Sequence, residues 1–105
     1  ALPIYNVVIE KTAENDLIEI LDYITDTLKE PKVASNIYRL IKNEILSLEE
    51  MPFRFQIVNE EPFRSIGVRR ISVKNYSAFY VVDEEDRIVH IFRILYNRRE
   101  WQNLL

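Results

Sequence analysis

The chain has 105 residues, of which 48% are hydrophobic and 30% charged, so it is long enough for one compact domain but not for two. It has no cysteine and a single histidine, which excludes disulfides, thiol chemistry, zinc–thiolate sites and the usual two-histidine metal motifs. The net charge of −3 is uneven: residues 1–63 carry 6 Lys+Arg against 12 Asp+Glu, whereas residues 64–105 carry 8 against 5. Any anionic partner is therefore expected to meet the second half.

The first half of the chain predicts a strand followed by two helices. Tyr5 to Glu10 is short and β-branched, which is typical of a strand. Thr12 is a plausible N-cap for a helix that runs to about Lys29, and Pro31 suits the first turn of a second helix that ends at Met51-Pro52. Each helix has one apolar stripe, so we expect an antiparallel hairpin with both stripes in the core.

The second half predicts a loop and then a three-stranded meander. Phe53 to Ile66 has no clear period, which predicts a loop with room for a short extended piece. Three β-rich runs follow it, with good turn compositions between them. These runs are Val68 to Val73, Tyr76 to Val82 and Arg87 to Leu95. The tail, Arg98 to Leu105, is expected to form a last helical turn with Trp101 and Leu104 or Leu105 against the sheet. The order β-α-α-β-β-β predicts an α+β fold, with the helical hairpin on one face of a small, mainly antiparallel four-stranded sheet.

No segment predicts a leader, a membrane span or a cofactor site. Ala1 to Ile4 lacks the basic and apolar parts of a signal peptide, and no stretch is apolar enough to cross a membrane, so a cytoplasmic location is expected. A single glycine, Gly67, is too few for a nucleotide-binding loop. We expect no metal and no cofactor.

What remains is a set of basic residues interleaved with tyrosines in the meander. Its members are Arg69, Arg70, Lys74, Arg93, Arg98 and Arg99, with Tyr76, Tyr80 and Tyr96. Strand alternation places Arg70, Ser72 and Lys74 on one face, which we expect to be the open face of the sheet. Arg98 and Arg99 could reach the same concavity and bind phosphates there.

A structural interpretation competes with this one. Exposed arginines on a sheet commonly serve solubility or protect an edge. Tyr80 lies in an apolar strand and is expected to be structural, and His90 is expected to be a half-buried strand residue. Arg93 could be an ion-pair partner as easily as a ligand.

Three segments of the meander resemble the RelE/ParE toxin superfamily of type II toxin–antitoxin systems, which includes plasmid stabilisation proteins. They are Arg69-Arg70-Ile71-Ser72-Val73-Lys74-Asn75-Tyr76, Phe79-Tyr80-Val81-Val82-Asp83 and Ile91-Phe92-Arg93-Ile94-Leu95-Tyr96-Asn97-Arg98-Arg99-Glu100-Trp101. The likeness extends over nearly the whole chain. It implies one RelE/ParE-like toxin domain over residues 1–105 and a cognate antitoxin as partner.

The superfamily's branches differ in what they attack. The RelE-like branch is an endoribonuclease, an mRNA interferase that cuts messenger RNA in the ribosome without metal, whereas the ParE-like branch poisons DNA gyrase. In the nuclease interpretation, Arg70, Tyr96 and Arg98 would be catalytic, and Lys74 and Arg99 would bind RNA. Ser72 and Ser77 stand where such nucleases commonly have basic residues. A gyrase poison, and a degenerate toxin that only binds its antitoxin, therefore stay open as alternatives to the ribosome-dependent nuclease.

Overall fold

The computed structural model describes residues 4–105, and it has the predicted α+β architecture. The strands are β1 (Asn6–Ile9), β2 (Arg69–Val73), β3 (Tyr76–Asp83) and β4 (Ile88–Tyr96), in the order β1-β4-β3-β2. β1 runs parallel to β4, and the other two pairings are antiparallel. The fold class expected from the sequence is confirmed. The sequence prediction that Ala1 to Ile4 are not part of a signal peptide concerns mainly residues 1–3, which lie outside the described residues.

The two long helices form the predicted hairpin. α1 spans Lys11–Asp22 and continues as a π-helical turn, Tyr23–Thr27, while α2 spans Pro31–Leu46 and ends in a 3-10 turn, Ser47–Glu49. The predicted N-cap at Thr12 is wrong, because α1 already begins at Lys11. Glu10 still donates its backbone N–H to the carbonyl of Ile91 in β4, so the chain passes from the sheet into the helix within one residue.

The main core lies between this hairpin and one face of the sheet. Its fully buried side chains come from both helices and from three strands, and they include Ile41, Ile45, Ile71, Tyr80 and Ile91. The apolar side chains that recur at helical spacing in α1 and α2 therefore pack against those that alternate along the strands, and together they form one layer. Tyr80 is fully buried and donates its hydroxyl to the carbonyl of Pro52 at 2.7 Å, in agreement with its predicted structural role.

The segment between α2 and β2 contains a short extended piece, for which the prediction left room, and also a short helix that was not predicted. Ile57 forms an isolated antiparallel bridge with Arg69, and Val58 donates its N–H to the carbonyl of Val68. A short helix, α3 (Phe63–Ile66), follows and ends at Gly67, whose φ of 87° is the left-handed conformation that favours glycine at a helix end. The segment thus folds back along the outer edge of β2.

Candidate functional site

The sheet face opposite the helices is covered in its centre by a second apolar cluster. Val58, Val68, Phe79, Leu95 and Trp101 are buried together there. The expectation that this face is open is therefore wrong for its central part. The tail turns back after β4 into a 3-10 turn, Trp101–Asn103, and Leu104 and Leu105 pack on the cluster. The predicted tail turn and its packing on the sheet are confirmed, and they are the reason that the face is covered.

Arg70 lies at the border of this cluster, with its guanidinium group held in place. Its Nε donates to the Ser77 hydroxyl at 2.9 Å, and its Nη2 donates to Asn97 Oδ1 at 3.4 Å. The guanidinium carbon also lies 5.6 Å from the centre of the Phe79 ring and 5.7 Å from that of Trp101. Cation–π contacts and hydrogen bonds of this kind fix the orientation of the group.

Ser77 and Asn97 complete a small polar network beneath Arg70. Ser77 is 1% exposed and donates its hydroxyl to Asn97 Oδ1 at 2.5 Å. Asn97 is a residue that the sequence analysis missed, since an asparagine in the turn after a strand has no distinctive signal. A buried serine that is both donor and acceptor costs little to bury, because its hydrogen-bonding capacity is satisfied.

A cleft with a volume of about 330 Å³ runs beside Arg70. Arg70 and Ser72 line it from β2, Glu60 lines it from the segment before α3, and Trp101 lines it from the tail. We call it the Arg70 cleft. Arg70 is the only cation that lines it within residues 4–105, and Glu60 is the only acidic residue among the described residues that line it.

Tyr96 and Arg99 line a different groove, on the helix side of the sheet. This groove has a volume of about 530 Å³ and lies between α1, its π-helical turn and the end of β4. We call it the α1–β4 groove. Tyr23 and Tyr76 also line it, and the rings of Tyr76 and Tyr96 are 5.6 Å apart. Tyr23, which the sequence analysis also missed, is exposed at the start of the π-helical turn.

The structure therefore divides the residues of the nuclease interpretation. It brings Tyr96 and Arg99 together, but Arg70 lies on the opposite face of the sheet. Lys74 is exposed in the turn between β2 and β3, with a φ of 56°, and Arg98 is exposed in the turn after β4. Neither of these two lines the α1–β4 groove or the Arg70 cleft.

Each of the three guanidinium nitrogens of Arg93 donates a hydrogen bond within the protein. Its Nε and Nη2 donate to the two carboxylate oxygens of Asp16 at 2.7 and 2.9 Å, and its Nη1 donates to the carbonyl of Leu104 at 2.6 Å. Asp16 also accepts the backbone N–H of Ile94 at 3.0 Å. Of the two roles left open for Arg93, ion-pair partner is the one observed. The pair ties α1 to β4 and to the tail.

Two other predicted positions have clear environments. His90 is half-buried, as predicted, and its Nδ1 lies 2.7 Å from Glu10 Oε1. Arg69 donates to the carbonyl of Phe55 at 2.5 Å and lies over the Phe53 ring, so it holds the segment before α3 against β2.

The tyrosine pKa values are shifted upward in both places where a shift occurs. Burial raises the pKa of Tyr76, and the neighbouring phenols of Tyr96 and Tyr23 raise it further. Burial raises the pKa of Tyr80 to about 12, against a smaller opposing effect of Arg69 and Arg54. Both phenols are therefore neutral at physiological pH and can donate a hydrogen bond.

The part of the chain from residue 4 onward holds no group of three His, Cys, Asp or Glu residues that could bind a metal ion. None of its helices is long and apolar enough to span a membrane.

Comparison with solved structures relates this architecture to the toxins of toxin–antitoxin systems. The chromosomal ParDE system from P. aeruginosa matches with a TM-score of 0.71 and 22% identity, over 89% of this chain and 96% of that one. The RelBE2 complex from Mycobacterium tuberculosis matches with a TM-score of 0.65 and 20% identity, over 91% and 94%. The archaeal RelE–RelB complex from Pyrococcus horikoshii OT3 matches with a TM-score of 0.59 and 19% identity, over 91% and 98%. The fold is thus that of the RelE and ParE toxins.

The sequence itself identifies the family. Residues 7–101 match the family described as the ParE toxin of the type II toxin–antitoxin system parDE. This protein belongs to that family. A comparison with curated protein sequences finds no match.

Proposed function

We propose that this protein is a growth-inhibiting toxin that acts on DNA gyrase and does not itself cleave RNA. The family match favours the ParE-like branch. The observation that carries the proposal is the division of the predicted nuclease residues, because Arg70 lies in one cleft and Tyr96 in a groove on the opposite face of the sheet.

Cleavage of a phosphodiester requires the catalytic side chains to lie around the same reacting group. A general acid or base must come within about 3 Å of the proton that it transfers, and the donors that stabilise the developing charge must reach the same reacting group. Ser77, which stands where the resemblance implies a phosphate-binding arginine, is buried and carries no charge. These features speak against metal-independent RNA cleavage at the predicted residues.

Cleavage of ribosome-bound messenger RNA is the second candidate, and one observation favours it. Tyr96 and Arg99 line the α1–β4 groove together, so an acid/base candidate and a cation face one space. Glu19 lines the same groove and would repel a phosphate. Arg70 would have no part in this version of the site.

We also propose that a cognate antitoxin binds this protein and covers the α1–β4 groove. The solved structures that share the fold include toxin–antitoxin complexes. On this chain, Tyr23 and Leu28 line the groove and are about half exposed, and Ile18 on α1 is exposed to a similar extent. Apolar side chains exposed beside a groove are typical of a protein-binding surface. Tyr23→Asp should weaken this complex, whereas Ser35→Asp on α2 should not.

The test of the gyrase proposal uses purified components. The protein is incubated with DNA gyrase, ATP and supercoiled plasmid, and the enzyme is then denatured. We expect linear plasmid that depends on both the protein and gyrase. If no linear plasmid forms, and if the protein cuts a message in a separate translating reaction, the nuclease would be established instead. A protein inert in both reactions would be a degenerate toxin.

A further inference from the structure

The guanidinium group of Arg70 is held by one edge only. Arginine has five N–H donors in a rigid plane. Ser77 and Asn97 use the edge formed by Nε and Nη2, at 2.9 and 3.4 Å. Within residues 4–105, Nη1 has no hydrogen-bond partner, and neither does the second N–H of Nη2. The outer end of the group therefore keeps two parallel donors.

The surroundings of this free end suit a small anion. Arg70 lines the Arg70 cleft together with the Ser72 hydroxyl and the Trp101 ring. The rings of Phe79 and Trp101 shield the guanidinium from water on the cluster side. A charge-assisted hydrogen bond is stronger where water is partly excluded, and a group already held in one orientation loses little entropy when it binds.

The charge around the cleft discriminates between anions. Nucleic-acid binding needs several cations along the backbone, because each phosphate contact contributes separately. Here Arg70 is the single cation among the described residues that line the cleft, and the acidic Glu60 lines the same cleft. Glu60 repels every anion, but it repels a dianion or a phosphate chain more strongly than a single monovalent carboxylate, which one guanidinium can neutralise.

We propose that the free end of Arg70 is a binding site for one carboxylate of a partner protein, an Asp or Glu side chain or a chain terminus. The two oxygens accept hydrogen bonds from Nη1 and Nη2 in the bidentate geometry of arginine–carboxylate pairs. Ser72, whose hydroxyl lies 3.4 Å from that of Ser77, lines the same cleft. Arg70 is in this view a protein-recognition residue, and the site does not depend on which target the toxin attacks.

Trp101 makes the proposal directly measurable. It is the only tryptophan of the chain, and its ring lies 5.7 Å from the Arg70 guanidinium carbon. Sodium acetate is titrated against sodium chloride at constant ionic strength while Trp101 fluorescence and the Arg70 Nε–H signal in an NMR spectrum are followed. We expect a saturable change with acetate, with a Kd on the order of 10 mM, which is reasonable for a single bidentate contact.

Three variants test the assignment. Arg70→Lys keeps the charge but loses the fork, so it should weaken acetate binding about tenfold. Arg39→Lys, on the exposed face of α2, is the matched control and should bind as the unchanged protein does. Glu60→Gln removes the carboxylate of an exposed side chain, and it should tighten binding about threefold. Because Glu60→Gln leaves the buried network intact, it tests the site even if Arg70→Lys fails to fold.

Several outcomes would overturn the proposal. If acetate gives no saturation up to about ten times the expected Kd, Arg70 is only structural. If Glu60→Gln binds acetate no more tightly, the anion binds elsewhere. If inorganic phosphate or a single-stranded oligonucleotide shifts both signals at lower concentration than acetate, the cleft is a nucleic-acid site.

Discussion

The two faces of the β-sheet are stabilised in different ways. The face under α1 and α2 buries a continuous apolar layer, in which the hydroxyl of Tyr80 is bonded to Pro52. The opposite face has a smaller apolar cluster bordered by the polar network of Arg70, Ser77 and Asn97. The larger helix-side core is therefore expected to contribute most of the stability, whereas the tail-side cluster and its polar network hold the guanidinium group of Arg70 in one orientation.

The largest expected effect is in the helix-side core. Ile91 is fully buried in β4 between the sheet and the hairpin. Ile91→Ala should lower the free energy of unfolding by about 4 kcal/mol, through lost burial and the cavity left behind. Leu95→Ala, in the same strand but on the tail side, should cost only about 2 to 3 kcal/mol because the small cluster can collapse onto the gap. Urea denaturation measures both losses. An equal or larger loss for Leu95→Ala would contradict the view that the helix-side core contributes more stability than the tail-side cluster.

The next effect concerns the ion pair that joins the two sides. The side chains of Asp16 and Arg93 are 11% and 20% exposed. Asp16→Asn leaves a mostly buried guanidinium without its counter-charge and should cost about 3 kcal/mol. The control is Glu14→Gln, which breaks the exposed pair with Lys11 and should cost less than about 0.5 kcal/mol. Similar losses for the two variants in urea denaturation would show that the Asp16 pair is no more important than a surface contact.

A smaller effect is expected from the polar network on the tail side. Ser77→Ala removes the acceptor of Arg70 Nε and the donor to Asn97, and it should cost about 2 kcal/mol. Ser35→Ala on the exposed side of α2 is the control and should change stability by less than about 0.5 kcal/mol. Thermal unfolding followed by circular dichroism compares them. A Ser77→Ala protein as stable as the control would mean that Arg70 is not held by this network.

The last prediction concerns the ionisation of Tyr80, which leaves the free energy of unfolding unchanged at neutral pH and lowers it only in alkali. Burial keeps Tyr80 protonated in the folded state up to a pKa of about 12, whereas the unfolded chain ionises near the ordinary value of 10.0. The resulting stability is fully present below pH 10 and is lost as the pH rises toward 12, since the unfolded state then binds fewer protons. Urea denaturation between pH 9 and about 12 should show this fall, and Tyr80→Phe should make it shallower. A parallel fall in Tyr80→Phe would contradict the assignment to Tyr80.

The helix-side core could be predicted from the sequence because it depends on local periodicity. The apolar residues of the two helices recur at helical spacing, and those of β2 alternate, so each element indicates its own buried face. The alternation that places Arg70 and Ser72 on one face of β2 leaves Ile71 and Val73 for the other, and both are buried in this core. Element order and fold class followed from these local patterns.

The tail-side arrangement could not be predicted, because it depends on contacts between distant residues. Arg93 and Asp16 are 77 positions apart, and nothing in either neighbourhood indicates the other. Asn97 meets Arg70 only through the register of β2, β3 and β4. Trp101 was expected to pack on the sheet, but the face that it covers depends on how the chain turns after Tyr96. The division of the candidate residues between two faces follows from these long-range contacts.

The most direct test of the central claim is one translating cell-free reaction that contains plasmid, gyrase and a defined message. The purified protein is added, the message is read by primer extension, and the plasmid is examined for double-strand breaks. We expect intact message and gyrase-dependent linear plasmid, since the predicted nuclease residues lie on opposite faces of the sheet. New message ends at ribosome-occupied codons, with undamaged plasmid, would contradict this account and would make Tyr96 and Arg99 the residues to examine next.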